Sequence, residues 1–319
     1  MKFVLEDLIL KYGIGLSKRF TRKQKNTFIN EIGKDFQTCG YRVQGAASKK
    51  KGSYAVNLHV GDVGKSKKII VVNYDTPQHN FGNPMKYYPF DGPATFASSF
   101  FPIYAPSIIG GVLALWLVIS YVPKIDFSTN FIYSLCVSVT LIVVMIVSFL
   151  LTKGIANKVN FNRNTSSVLV ALMLASELSD EDREKVAFVL TDNGCTNHAG
   201  DYMLREALPT TIDQRLVIML DCVGDGEEFV IGYKEDSKKE AIELAEQFKT
   251  KPKRKLCNKE ELRYTSFSFY KKALLVSKGN FKNDSLVVEN ISTNQDTNCD
   301  IESLNQVVRA LKRFIEKNN

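Results

Sequence analysis

Three features of the sequence predict an α/β fold with a three-layer, mostly parallel but mixed sheet, interrupted by an inserted two-helix transmembrane hairpin. First, KKIIVVNYD (67–75), KVAFVLTD (185–192) and RLVIMLDCV (215–223) are nearly continuous apolar runs. Strands apolar on both faces belong inside a sheet covered by helices on each side. Second, segments of helical spacing alternate with them, which is the pattern of parallel strands joined by crossovers. Third, no charged residue occurs from Gly92 through Pro123 or from Phe127 through Thr152. The chain of 319 residues is 45% hydrophobic and 24% charged, which excludes disordered and collagenous classes. Its mean hydropathy of -0.11 averages a polar, cation-rich part with a very apolar one.

In chain order, MKFVLEDLILKYG carries Glu6 and Asp7 inside an apolar pattern and reads as an amphipathic helix, not a signal peptide. A helix follows from about Arg22 to Cys39, closed by Gly40. YRVQGAAS (41–48) and SYAVNLHV (53–60) read as strands that lead to KKIIVVNYD. After the uncharged stretches, SSVLVALMLASELS (166–179) is a helix, and AGDYMLREAL (199–208) is a helix between two strands. EFVIGY (228–233), ALLVSKG (273–279) and SLVVEN (285–290) are strands, and EDSKKEAIELAEQF is a helix started by Asp236. IESLNQVVRALKRFIEK (301–317) is a terminal helix with Asp300 as its N-cap.

SIIGGVLALWLVISYV and FIYSLCVSVTLIVVMIVSFLL each supply the ~20 apolar residues that cross a ~30 Å hydrocarbon core. The expected hairpin covers 100–152, and 1–91 with 154–319 form one discontinuous domain, since neither flank alone has enough strands to close a core. Gly110 and Gly111 permit close helix approach. Lys86, Lys153, Lys158 and Arg163 flank the spans, so the positive-inside rule predicts a cell-membrane protein with both termini and the α/β domain cytoplasmic.

The six cysteines form no CxxC pair and read as free thiols, and the three histidines include no HExxH zinc motif. His59 is expected to be a packed or surface strand residue, and His198 a surface or capping residue. His79 has a route into a pocket from the turn it follows. GDVGKS lacks P-loop spacing. The formal net charge is +8, with basic runs at Lys49–Lys51, Lys65–Lys68 and Lys249–Lys255. No recognition motif or aromatic interleaving accompanies them, so nucleic acid is not an expected partner. They are expected to face anionic headgroups or solvent.

Taken in order, GYRV, NLHV and KKIIVVNYDTP, then NRNTSSVLVALMLASEL, AFVLTDNGCTNHAGDYML, VIMLDCVGDG and NISTNQDTNCDIESLNQVV are similar to the successive motifs of the di-zinc aminopeptidase family. That family includes bacterial leucyl aminopeptidases, glutaminyl cyclases and glutamate carboxypeptidase. The resemblance covers nearly the whole chain apart from the hairpin. It implies an aminopeptidase-like fold and a site that, in the family, holds two zinc ions with two His, three carboxylates and a Glu base.

Carried over residue by residue, the resemblance implies a degenerate site. Asn73 stands at the first His position, Arg163 at the metal-bridging Asp, Gly194 and Cys195 at the base and ligand Glu pair, and Ser292 at the last His. Asp221 and Asp75 are retained. A guanidinium stays protonated and cannot ligate zinc, so Arg163 is expected to pair with Asp221, Asp75 or both. Cys195 is expected to fill a vacated space. The expected protein is therefore a membrane-anchored pseudopeptidase with no cofactor and no catalytic residue. Its expected partners are the lipid bilayer, a partner membrane protein such as a peptide transporter, and a peptide in the vestigial cleft. The alternative is a working hydrolase with one metal held by Asp221, Cys195 and His79.

Overall fold

The structure, a computed structural model, describes residues 3–50, 53–80 and 85–317. Lys51 of the first basic run and Met1 and Lys2 of the amphipathic segment lie outside the described residues.

The strands are β1 (Val43–Lys50), β2 (Ser53–Val60), β3 (Lys68–Asn73), β4 (Val186–Thr191), β5 (Leu216–Leu220), β6 (Glu228–Tyr233), β7 (Lys253–Leu256), β8 (Ala273–Lys282) and β9 (Ser285–Val287). Among the described residues they form one nine-stranded sheet in the order β1-β2-β4-β3-β5-β8-β6-β7, with β9 on β8. The central strands β4, β3, β5 and β8 run parallel. The pairs β1–β2, β2–β4 and β6–β8 are antiparallel. Strands from before and after the uncharged stretches thus share one sheet, with β3 between β4 and β5.

The α-helices are α1 (Leu5–Leu8), α2 (Arg22–Thr38), α3 (Gly92–Tyr121), α4 (Phe131–Lys153), α5 (Ser166–Glu177), α6 (Asp180–Arg183), α7 (Ala199–Ala207), α8 (Lys238–Ala245) and α9 (Ile301–Lys317). Alternation along the strands sorts the core into two layers. Ile70, Val72, Phe188, Leu190, Ile218 and Leu220 meet residues of α1, α2, α5, α8 and α9 on one face. Ile69, Val71, Ala187, Val189, Val217 and Met219 meet Leu204, Leu262, Phe267 and Tyr270 on the other. The helix α2 starts at a capping box in which Thr21 and Gln24 satisfy each other's backbone N–H groups.

Tyr104–Lys124 and Phe131–Leu150 are long and apolar enough to cross a membrane, and only 0% and 11% of those stretches is buried. The two helices pack on each other; a side chain on Gly110 would press on Ser148 of α4. Gly110 therefore serves contact inside the hairpin. The insertion is firmly stitched to the sheet domain. Gln78 and Ala156 form a bridge at its base, and His79 N donates to Ile155 O at 2.6 Å. Asp91 caps α3 by accepting from Ala94 N at 2.9 Å, and Gly92 N donates to Glu261 O at 2.7 Å. Any Cβ at Gly92 would strike the Arg263 carbonyl, so this close approach requires glycine.

Four expectations change. Helix α3 begins at Gly92, inside the sheet domain, before the expected hairpin. Asp236 does not start α8; a 3-10 turn over Glu235–Ser237 precedes Lys238. Part of the basic run Lys249–Lys255 is edge strand β7, where Lys255 is buried against Glu261 at 3.1 Å and Lys253 pairs with Glu228 at 2.7 Å. Charged residues on an edge strand discourage pairing with other chains. Finally, Arg163 is 5% exposed, so it adds nothing to the charge bias beside the spans.

Candidate functional site

In a parallel sheet the strand C-termini end on one side, and the loops that leave them converge there. Asn73 is the last residue of β3, and Asp75 follows two residues on. Gly194 and Cys195 lie in the turn after β4, and Asp221 directly follows β5. Arg163 sits in a π-helical turn, Phe161–Thr165, that leads into α5. Such wide turns are frequent at functional sites because they re-aim a side chain. Ser292 lies in the loop beyond β9 with a left-handed backbone (φ 60°).

Asn73, Arg163, Gly194, Cys195, Asp221 and Ser292 all line one cavity of about 740 Å³. Asp75 is buried among its neighbours, accepting from Gly194 N at 2.9 Å and Cys195 N at 3.1 Å. Burial pushes the Asp75 carboxyl up to about 6, against the pull of Lys25. Asn73 accepts from Thr191 Oγ1 at 2.7 Å. Its carboxamide fills the space a Cβ on Gly194 would need. The backbone at 194 therefore takes only glycine while Asn73 is present.

The Arg163 guanidinium donates to Asp221 Oδ1 and lies over the Tyr87 ring at 4.0 Å, and the Tyr87 hydroxyl donates to Asp221 Oδ2. Burial is the strongest influence and works against the guanidinium charge, but Asp221 together with Tyr87, Cys195 and Cys222 outweighs it and holds the Arg163 pKa well above its ordinary value. Both members of this pair are under a tenth exposed. The expected partner of Arg163 is thus Asp221, not Asp75.

Cys195 Sγ accepts from Asn164 Nδ2 at 3.1 Å, and burial pushes its thiol up to about 12. A thiol so protonated is neither nucleophile nor ready ligand. His79 Nδ1 pairs with Asn157 Oδ1 at 3.0 Å at the hairpin base, and the ring is not part of the cavity wall. The alternative trio of Asp221, Cys195 and His79 is therefore not assembled. His198 differs from expectation: it occupies the position before α7 but makes no cap bond with its side chain. Instead it lines the cavity, with Nδ1 2.8 Å from Ser266 Oγ and Nε2 3.0 Å from the Tyr264 carbonyl.

Sequence reading missed two organising residues. Tyr87 completes the pair from 134 positions away in the chain, and no local signal marks it. Asp296 accepts from Asn162 N at 2.7 Å and Arg163 N at 3.4 Å, which sets the turn that carries Arg163. Burial pushes its carboxyl up to about 6. Its signal was the carboxylate within TNQDTNCD, already part of the family resemblance.

Comparison with solved structures decides the fold. It is the fold of glutaminyl cyclases and zinc-dependent exopeptidases. The chain is similar to the glutaminyl cyclase of Porphyromonas gingivalis at 10% identity, with 99% of each chain covered and a TM-score of 0.58. A Zn-dependent exopeptidase from Parabacteroides distasonis gives 11% identity, covers 99% and 98%, and has a TM-score of 0.55. A leucine aminopeptidase precursor from Bacteroides thetaiotaomicron gives 13%, 99% and 97%, with a TM-score of 0.53. No protein-family model matches the chain, and no curated protein is significantly similar in sequence. Zinc, which the exopeptidase likeness implies, does not fit the donors here. The Asp221 carboxylate is engaged by a guanidinium and a phenol, and a fixed positive charge stands beside it.

Proposed function

We propose that this aminopeptidase-like protein is anchored in a cell membrane by α3 and α4, with the sheet domain on the cytoplasmic side, and that it works by binding instead of cleavage. The observation that carries this reading is the buried Arg163–Asp221 pair under Tyr87. Peptide hydrolysis on this fold would need a Lewis acid and a base at the strand ends. A guanidinium supplies a fixed charge but no open coordination site, and Gly194 supplies no base. The buried pair supports a structural role for these two residues: two opposite charges neutralise each other in the cavity wall. The hairpin supports an accessory role beside a partner membrane protein, of which a peptide transporter is one class.

The test uses the full chain in mild detergent. Leucine p-nitroanilide hydrolysis and cyclisation of an N-terminal glutamine peptide are measured with and without added zinc, beside zinc content. The expected outcome is background activity and less than one zinc per chain. Stoichiometric zinc, with activity that a chelator removes and zinc restores, would overturn the reading. Co-purification isolates the accessory role: a lone monomer from native membranes counts against it.

A further inference from the structure

The same cavity carries information about what it binds. Among the described residues, its wall holds no Lys or Glu, and its one Arg and one Asp neutralise each other as the Arg163–Asp221 pair. The remaining polar wall includes Asn73, Thr196, Asn197, Ser266, Ser268 and Ser292, with His198 held between Ser266 and Tyr264. A peptide with free termini brings an ammonium and a carboxylate, and a buried charge needs an opposite partner. This wall offers none to spare. It suits an uncharged head that gives and accepts hydrogen bonds.

The α3 side of the cavity points to the source. Gly92, Thr95, Phe96, Ser99 and Tyr104 of α3 line it, and α3 continues without a break into the apolar stretch that begins at Tyr104. From this wall runs a chain of exposed aromatic rings. Tyr264 lies 5.9 Å from Phe96, Phe96 lies 5.9 Å from Phe100, and Phe100 lies 5.5 Å from Tyr104. Phe96, Phe100 and Tyr104 recur every four residues, which keeps them on one helix face. All four rings are more than a third exposed. A continuous exposed apolar strip that joins a cavity to a membrane-spanning segment is a track for an apolar chain.

We infer that the cavity takes an amphiphile with an uncharged, hydroxyl-bearing head and an acyl tail, loaded from the bilayer surface along the α3 aromatic strip. This rests on the membrane-anchored reading and goes beyond it in naming the ligand class.

The test uses the full chain in phosphatidylcholine nanodiscs and a diacylglycerol with a fluorescent acyl chain. Wild type is expected to give saturable binding. Phe96→Ala/Phe100→Ala is expected to weaken it at least tenfold with an unchanged melting temperature, since both rings are exposed. Tyr264→Ala is a second, independent strip variant with the same expectation. Phosphatidic acid with the same labelled tail is expected to bind at least tenfold more weakly than diacylglycerol. Equal binding by wild type and both strip variants would overturn the inference. So would phosphatidic acid binding as tightly as diacylglycerol, or a soluble peptide with free termini displacing the probe at micromolar concentration. Liposome flotation separates the two readings: a chain that floats but takes no diacylglycerol removes only this inference, whereas a chain that does not float removes both.

Discussion

The helices α4 and α5 have the same kind of sequence and opposite surroundings. Both are apolar around their whole circumference, with SSVLVALMLASE in α5 and FIYSLCVSVTLIVVMIVSFLLTK in α4. In α5 every residue from Ser166 to Ala175 is buried, enclosed by the sheet and by α2 and α9. In α4, Ile132, Val139, Val143, Ile146 and Phe149 are each more than half exposed. A helix without a polar face needs an apolar surrounding on all sides. The fold provides it for the short helix, and the long one is matched in length to a bilayer core. Apolar character alone does not separate the two helices; length and, among the described residues, exposure do.

The largest expected effect tests that contrast directly. Leu172→Asp puts an unpaired charge in the centre of α5, where Leu172 is fully buried. It is expected to cost at least about 4 kcal/mol and to leave the sheet domain unfolded, read by near-UV circular dichroism. Val143→Asp on the exposed face of α4 is expected to leave the sheet domain's melt unchanged while weakening liposome association. If the two substitutions have equal effects on the melt, the contrast fails.

Next in size is the site. Arg163→Met leaves Asp221 buried without its counter-charge and is expected to cost about 3–5 kcal/mol in urea denaturation. Combining it with Asp221→Leu should recover most of that loss, because replacing a whole buried pair by apolar groups is often nearly neutral. A double variant as unstable as the single one would show that the pair is not the unit of stability.

A smaller effect tests the fit of Gly194. Gly194→Ala drives a methyl into the Asn73 carboxamide and is expected to cost about 1–3 kcal/mol. Asn73→Ala in the same chain should relieve it. Without that rescue, the two residues do not constrain each other.

The smallest effect is with pH. Asp75 and Asp296 are each held near 6 by burial, above the value an unfolded chain gives them. The folded state therefore binds their protons more tightly. The stability they contribute is full below about pH 4 and is lost as the pH rises through about 6. Wild type is expected to lose on the order of 1–2 kcal/mol between pH 5 and pH 7 in urea melts, and Asp296→Asn to flatten that slope. A slope unchanged in the variant would mean that Asp296 is not titrating there.

Much of the fold was legible because its signals are local. Apolar runs such as KIIVVN and VAFVLT declare buried strands, and the uncharged stretches declare the hairpin by length. The strand β7 was not legible, since KRKL has a single apolar residue and pairs only because β6 offers a free edge. The start of α3 ahead of the expected hairpin was not legible because Gly92 is set by contact with the loop at Glu261 and Arg263, far along the chain. In the site, the identities at 73, 163, 194 and 221 were readable by resemblance, and Asp221 stood among the expected partners of Arg163, but Tyr87 and Asp296 were not readable.

By itself the sequence determined the sheet, the helices that cover it, and two segments long and apolar enough to cross a membrane. It also determined that an arginine and a glycine stand among the residues that converge at the strand ends. Tertiary structure alone decided that Arg163 takes Asp221 and not Asp75, that Tyr87 lies over the pair, that Asn73 closes the space beside Gly194, and that α3 forms a cavity wall before it becomes an exposed apolar helix. The physical reason is range. Helix and strand periodicity act over a few residues, whereas the cost of a buried charge or a filled cavity depends on whatever the chain brings alongside, in this case Tyr87 from 134 positions away.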